Sequence, residues 1–189
     1  MKKGTIILLV IIGIVLVIVF SLAGTYNGMV ASSETVQQSF ADVQADLQRR
    51  NDLIPNLVAT VKGFATHEEE IYTSIADARS KLMGAGSMQE VAQADSELSS
   101  ALSRLLVVVE NYPELKANQN FLDLQTQLEG TENRIKVSRQ RYNEAVRQYN
   151  GRIRRFPSNL LAGMFGFDKM DYFEAEQSAQ SAPTVDFSK

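Results

Sequence analysis

Apolar residues occupy this chain in two different ways. Between Thr5 and Ala23 they fill almost every position, mostly as Ile, Val and Leu, with no charged residue among them. From Met29 onward they recur in alternating steps of three and four: Met29, Val36, Phe40, Val43, Leu47 and Ile54, with Ser33 and Arg50 taking two positions of the same stripe. Val91, Leu98, Leu105 and Tyr112 repeat every seven residues. Phe121, Leu124, Leu128, Ile135, Tyr142, Tyr149 and Phe156 form a further stripe. A period averaging about 3.5 puts one apolar seam on each helix and favours near-parallel packing. The alternation expected of a half-buried strand does not occur, so the chain is expected to be all-α.

Capping chemistry locates the breaks. Thr66 with Glu69, and Ser87 with Glu90, each have the spacing at which a hydroxyl and a carboxylate satisfy orphan amides reciprocally. Gly63 precedes the first pair, and Gly84 and Gly86 precede the second. Pro113 can open a helix, with Glu114 in its favourable first turn. Phe156 before Pro157 predicts an end. These signals predict helices near 26–62, 67–83, 88–111 and 114–156. Their short connections favour an antiparallel up-down four-helix bundle with long first and last helices. Pro55 either kinks the first helix or marks a restart after Asn51-Asp52. The alternation brings the C-terminal end of the last helix back toward the end where the first begins.

The N-terminal run is long enough, at about 1.5 Å per residue, to span most of a hydrocarbon core of about 30 Å. Lys2 and Lys3 precede it, whereas Glu34, Asp42 and Asp46 follow it before the first basic residue, Arg49. That asymmetry predicts a cytoplasmic N-terminus, with the rest of the chain on the periplasmic or extracellular face of the cytoplasmic (inner) membrane. The rival reading is a cleaved leader ending near Ser21-Leu22-Ala23; the apolar run exceeds the usual h-region of about 7 to 15 residues, which favours a retained anchor. The expected organisation is a short cytoplasmic segment at 1–4, a transmembrane helix at 5–24 and a helical bundle at 25–157. An apolar closing segment at 158–173 and a disordered tail at 174–189 complete it.

Composition excludes several chemistries. There is no cysteine among the 189 residues, so disulfides, thiolate nucleophiles and Cys-based metal sites are absent. The formal net charge is −3, with both lysines of the N-terminal segment on the positive side of the balance. A net acidic domain argues against nucleic acid as a partner. His67-Glu68-Glu69-Glu70 lacks a second histidine four residues on, where Ile71 stands, so zinc-protease chemistry is rejected. His67 is the sole imidazole, and no nucleophile elbow or phosphate-binding glycine loop occurs. No catalytic, cofactor or metal residues are expected, and no small-molecule substrate.

One feature stands apart chemically. Between Arg134 and Arg155 eight basic residues face a single acid, Glu144. Phe156, Leu160, Leu161, Met164, Phe165 and Phe167 follow directly. The preferred reading is a solvated face whose arginines pair with acids on neighbouring helices, while the apolar segment closes the bundle base. The alternative is an anionic lipid surface met by Arg147, Arg152, Arg154, Arg155, Leu160, Leu161, Met164 and Phe165, since cations beside apolar wedges are attracted to headgroups. Tyr142 and Tyr149, each followed by Asn, are read as buried rings with hydroxyls reaching polar groups rather than as a recognition stripe. Arg50 and Ser33 are read as register-fixing polar residues.

Several ordered motifs resemble the bacterial LemA family. They are Tyr26-Asn27, the run from Gln48 to Val58, Thr60 to Ala65 with His67-Glu68, Tyr112 to Asn118, the Tyr-Asn pairs at 142 and 149, and Phe156-Pro157. The resemblance covers roughly residues 1–174. It implies a short N-terminal tail, one membrane helix and a helical-bundle domain, with no established catalytic residues. The expected function is a non-enzymatic, membrane-anchored scaffold or adaptor of the cell envelope. Its helix surfaces would contact a second copy or another envelope protein, with Leu105 to Val109 the densest apolar candidate. A lipid-organising module acting through the basic helix end is the alternative.

Overall fold

A computed structural model describes residues 3–173, which contain helices and no strand. The expected disordered tail at 174–189 lies outside the described residues. The helices are α1 (Lys3–Lys62), α2 (Glu69–Gly84), α3 (Met88–Val109), α4 (Pro113–Lys116), α5 (Gln119–Ile153) and α6 (Ser158–Phe165). All-helical architecture with a long apolar N-terminal helix is as the apolar periodicity predicts.

The boundaries differ in instructive ways. No break separates the apolar run from the first amphipathic helix; both belong to α1. Gly24 and Gly28 fall in the junction, but Thr25 Oγ1 donates to the Ser21 carbonyl at 2.9 Å, and helix on both sides makes a break costlier than continuation. Pro55 lies inside α1 without ending it, which rules out the restart. The capping box at Thr66 does not form. The reversal after Lys62 occupies residues 63–68, so α2 starts with Glu68 at its N-cap and no side-chain cap, and Thr66 is spent in the turn. The Tyr72 hydroxyl donates to the Ala65 carbonyl at 2.5 Å and ties that turn down instead. The box at Ser87 forms in full: Glu90 N donates to Ser87 Oγ, and the Ser87 amide donates to Glu90 Oε2 at 3.1 Å.

Pro113 opens only the single turn of α4, whose Leu115 is fully buried. A new helix, α5, then starts behind Asn118, whose Oδ1 accepts from the Phe121 amide at 3.2 Å. The far end of α5 stops at Ile153 rather than 156. Phe156 is consequently 81% exposed and leaves the stripe assigned to it. The segment beyond begins with α6, terminated by Gly166 at φ 72°, a left-handed conformation that glycine adopts without a Cβ clash.

Two compact units make up the chain. The first comprises Met1–Ala41 and Arg141–Met170. In it Met29, Val36, Tyr142, Val146, Tyr149 and Ile153 are buried, and Phe40 packs on Tyr142 with ring centroids 6.1 Å apart. Arg152 pairs with Gly28 at one end and Tyr142 with Phe40 at the other, so these stretches of α1 and α5 run antiparallel.

The second comprises Asp42–Gln140 and Asp171–Lys189. Ile54, Leu57, Ile75, Leu98, Leu105, Leu115 and Ile135 are fully buried there, each contributing about 1.5–3 kcal/mol by leaving water. α2 and α3 form an antiparallel pair, with Lys81 on Glu97 at 2.7 Å and Arg104 donating to Ser74 at 2.7 Å. Arg50 crosses this core: its Nη1 lies 3.0 Å from Asp95 on α3 and 3.0 Å from Glu132 on α5, and its Nη2 donates to Ser99. Asp95 also pairs with Arg139, whose guanidinium lies 4.3 Å from the Phe173 ring. Burial lowers the Arg50 pKa against the opposing pull of Glu132. Burial, helped by Arg50, lowers that of Arg139 to about 10, so Arg139 stays charged at neutral pH.

Three outcomes follow for stability. Asp95→Ala leaves two guanidiniums without their shared carboxylate and is expected to cost about 3–5 kcal/mol, whereas Glu132→Ala, at a half-exposed carboxylate, costs under about 1 kcal/mol. Denaturant unfolding of the detergent-solubilised chain reads the difference. Ser87→Ala should cost about 1 kcal/mol. Glu90 is held below its ordinary pKa by the Gly86 and Ser87 amides. Its contribution is therefore present above the unfolded carboxylate pKa and lost as pH falls through the lowered folded value. Melting curves of the parent and Glu90→Ala should converge in acid and diverge toward neutral pH.

Candidate membrane-proximal site

The first unit brings the basic helix end and the apolar segment to one place. Every large apolar side chain from Ile6 to Leu22 is exposed, and none of the run is covered by protein. Immediately after it, the Tyr26 ring meets Phe165 edge-on, with centroids 4.9 Å apart, and Phe167 at 5.7 Å. Arg152 donates to the Gly28 carbonyl. Arg152, Phe165 and Phe167 thus contact the first turns of α1 beyond the apolar run.

Two side chains hold the return path. The buried Asn150 donates from Nδ2 to the Met170 carbonyl at 2.8 Å and accepts the Met170 amide at Oδ1, 3.0 Å away. The Tyr149 hydroxyl donates to the Asp168 carbonyl at 2.9 Å. These bonds clip residues 168–170 back along α5 and fix α6 between two anchored ends. Burial, and then Asp168, raise the Tyr149 pKa, so the hydroxyl remains a donor at any ordinary pH. Both rings, Tyr142 and Tyr149, are buried, and the Tyr149 hydroxyl reaches a polar group as expected, but the asparagine after Tyr149 carries as much of the structure as the ring.

The residues expected at a lipid surface separate into three groups. Arg147 is bound to its own helix by Glu144, through Nε at 2.9 Å and Nη2 at 2.8 Å. Arg152 is committed to Gly28. Arg154 and Arg155 are exposed, with no ion pair among the described residues. Of the apolar set, Leu160, Met164 and Phe165 are exposed by 60, 76 and 57%, but Leu161 is 8% exposed and turns inward beside Ala162. Leu161 is therefore a packing residue of α6, not part of its outer face. Further up α5, Arg139 is paired with Asp95 and Arg134 lies 3.9 Å from Asp46, so part of the basic run does pair with neighbouring helices. Sequence reasoning missed Tyr26, Gly28 and Asn150 as the groups that seat this segment.

Among the described residues no group of acidic or imidazole side chains could hold a metal ion. The fold and site define a membrane-associated, all-helical protein with a basic and apolar segment beside its apolar helix. Its sequence matches the LemA family over residues 39–187, and the chain belongs to that family. It is similar to the magnetosome protein MamQ 2 of Paramagnetospirillum magneticum, at 29% identity over 97% of this chain and 77% of the relative. MamQ of Magnetospirillum gryphiswaldense is 27% identical over 98% and 78%. Protein LemA of Metamycoplasma hominis is 24% identical over 84% and 73%.

The clip gives a direct expectation. Asn150→Ala removes both bonds to the half-buried Met170 backbone, at a cost of about 1 kcal/mol. Hydrogen exchange at the Met170 amide should accelerate in the variant, while the Glu90 amide, in the other unit, stays as protected as before.

Proposed function

We propose that this chain is a non-enzymatic scaffold of the bacterial cell envelope, anchored by residues 5–24 and contacting a second copy or another envelope protein through its helix surfaces. On this reading the N-terminus lies in the cytoplasm and the helical region lies outside it, on the periplasmic or extracellular face of the inner membrane. Its long helices α1 and α5 join α2 and α3 in an antiparallel four-helix arrangement. The names of the MamQ and LemA relatives specify no reaction, which supports the non-enzymatic part.

The observation that carries the scaffold reading is on α3. Leu105 and Val109 are buried as its stripe demands, yet Leu106 is 40% and Val107 is 69% exposed. Leu106 borders an open groove of about 330 Å³ that Leu57, Leu102 and Leu128 also line. Adjacent exposed branched residues are not needed for helix solubility, and they provide the apolar centre that an interface requires.

The absence of cysteine makes the test specific. Val107→Cys in the full chain, expressed in bacterial membranes and treated with a bifunctional maleimide, should give a dimer or a discrete larger adduct. Leu106→Glu in the same chain should reduce that adduct several-fold. Monomer alone at every crosslinker length would count against the scaffold reading.

A further inference from the structure

We propose that the α5–α6 turn and the outer face of α6 form a collar that docks onto an anionic phospholipid surface beside the membrane helix; this rests on residues 5–24 being an anchor. The first argument is two-sidedness. α6 is one of the shortest helices in the chain, yet both of its sides are apolar: Leu161 and Ala162 are buried, while Leu160 and Met164, one turn apart, project outward. Phe156 is 81% exposed at the preceding turn. An outer face made of Phe156, Leu160 and Met164 has no structural use in water, where it forfeits about 25 cal/mol for each Å² left uncovered.

The second argument is position. Phe165 is held against Tyr26 and Arg152 against Gly28, both within a few residues of the end of the proposed membrane segment at Gly24. At about 1.5 Å per residue these contacts lie only some 3–6 Å past the run, within the interfacial layer of about 5–10 Å that amphipathic segments occupy. The third argument is charge. Arg154 and Arg155 flank the apolar face without ion pairs among the described residues, whereas Glu144, the acid nearest in sequence, is spent on Arg147 and Gln148. A second copy docked symmetrically on this face would bring four guanidiniums together. An anionic lipid surface neutralises them, and it is already adjacent to the apolar helix.

The test uses the full chain reconstituted into vesicles, with single cysteines placed in the cysteine-free sequence and labelled with an environment-sensitive fluorophore. Val15→Cys reports the anchor, Met164→Cys the collar and Thr126→Cys an exposed site in the other unit. Doxyl-labelled lipids act as quenchers, in phosphatidylcholine alone or mixed with phosphatidylglycerol. Val15 should be quenched in both vesicles. Met164 should be quenched several-fold more than Thr126, and more strongly with phosphatidylglycerol. Adding Arg154→Gln and Arg155→Gln should lower the ratio of docked to free collar by about 30-fold, bringing Met164 toward the Thr126 level. Circular dichroism of each variant should match the parent.

Quenching at Val15 but not at Met164 overturns the collar and leaves the anchor standing. No quenching at either site overturns both. Equal quenching in the two vesicles, unchanged by the arginine substitutions, overturns the assignment to anionic lipid. A blue shift at Met164 without lipid quenching means that protein covers the face, and it too overturns the proposal.

Discussion

A single helix in this protein has to satisfy two solvents. From Ile6 to Leu22 the side chains of α1 are almost all apolar, on every side of the helix, and none is buried in the protein. From Met29 to Val61 the same helix carries one buried stripe, and most of its remaining positions are polar. An all-round apolar surface is stable only in hydrocarbon, and a one-sided stripe only against another helix in water. The changeover falls within Gly24 to Gly28, where neither requirement is met by α1 alone. Tyr26 and the Gly28 carbonyl are the groups there that the returning segment meets, through Phe165, Phe167 and Arg152. Tyr149 and Asn150 hold the chain just beyond those partners, through their bonds to Asp168 and Met170.

The second unit answers a different constraint. A stripe of Leu, Ile and Val at regular spacing can slide by a turn with little loss, because one branched aliphatic residue replaces another. Arg50 cannot slide. Its guanidinium is buried, so it must find Asp95, Ser99 and Glu132 together, and these lie on two different helices. Such a network is a poor source of net stability, since desolvating its buried charges, Arg50 and Asp95 above all, consumes most of what their attraction returns. Its lowered arginine pKa values reflect that cost. What it supplies is a set of charged contacts that ties α1 to both α3 and α5.

Helix content and the principal buried residues were legible because burial follows periodicity: Met29, Val36, Val43, Leu47 and Ile54 are buried as their spacing requires. Boundaries were legible only where the signal was local. Ser87 and Glu90 need nothing but each other, and their box forms. Thr66 and Glu69 have the same spacing, but how many residues the preceding turn consumes is a tertiary matter, and it moved the start of α2 past the threonine. Phe156 fitted its stripe arithmetically and is exposed, because α5 ends three residues earlier. The membrane-proximal site was half legible. Its arginines and apolar residues stood out as composition, but composition could not separate inward Leu161 from outward Leu160, or committed Arg152 from unpaired Arg154. That separation depends on where α6 begins and on Tyr26, more than a hundred residues away in the chain.

The placement of these arginines also bears on the topology proposed for the anchor. The positive-inside bias acts on basic residues close to the apolar run along the chain, and there the balance is plain: Lys2 and Lys3 before it, Glu34, Asp42 and Asp46 after it. Arg154 and Arg155 are remote in sequence and reach the vicinity of the run only once α5 has folded back in the first unit. Insertion and folding therefore sample different charge distributions. A chain can keep acids next to its anchor, where they permit translocation, and still present cations at the same level afterwards, provided that the cations arrive on a returning helix. Had the same arginines followed Gly24 directly, they would oppose the orientation proposed here. Their position at the end of α5 avoids that conflict, and it makes the antiparallel return of that helix a condition for any cationic surface at the membrane.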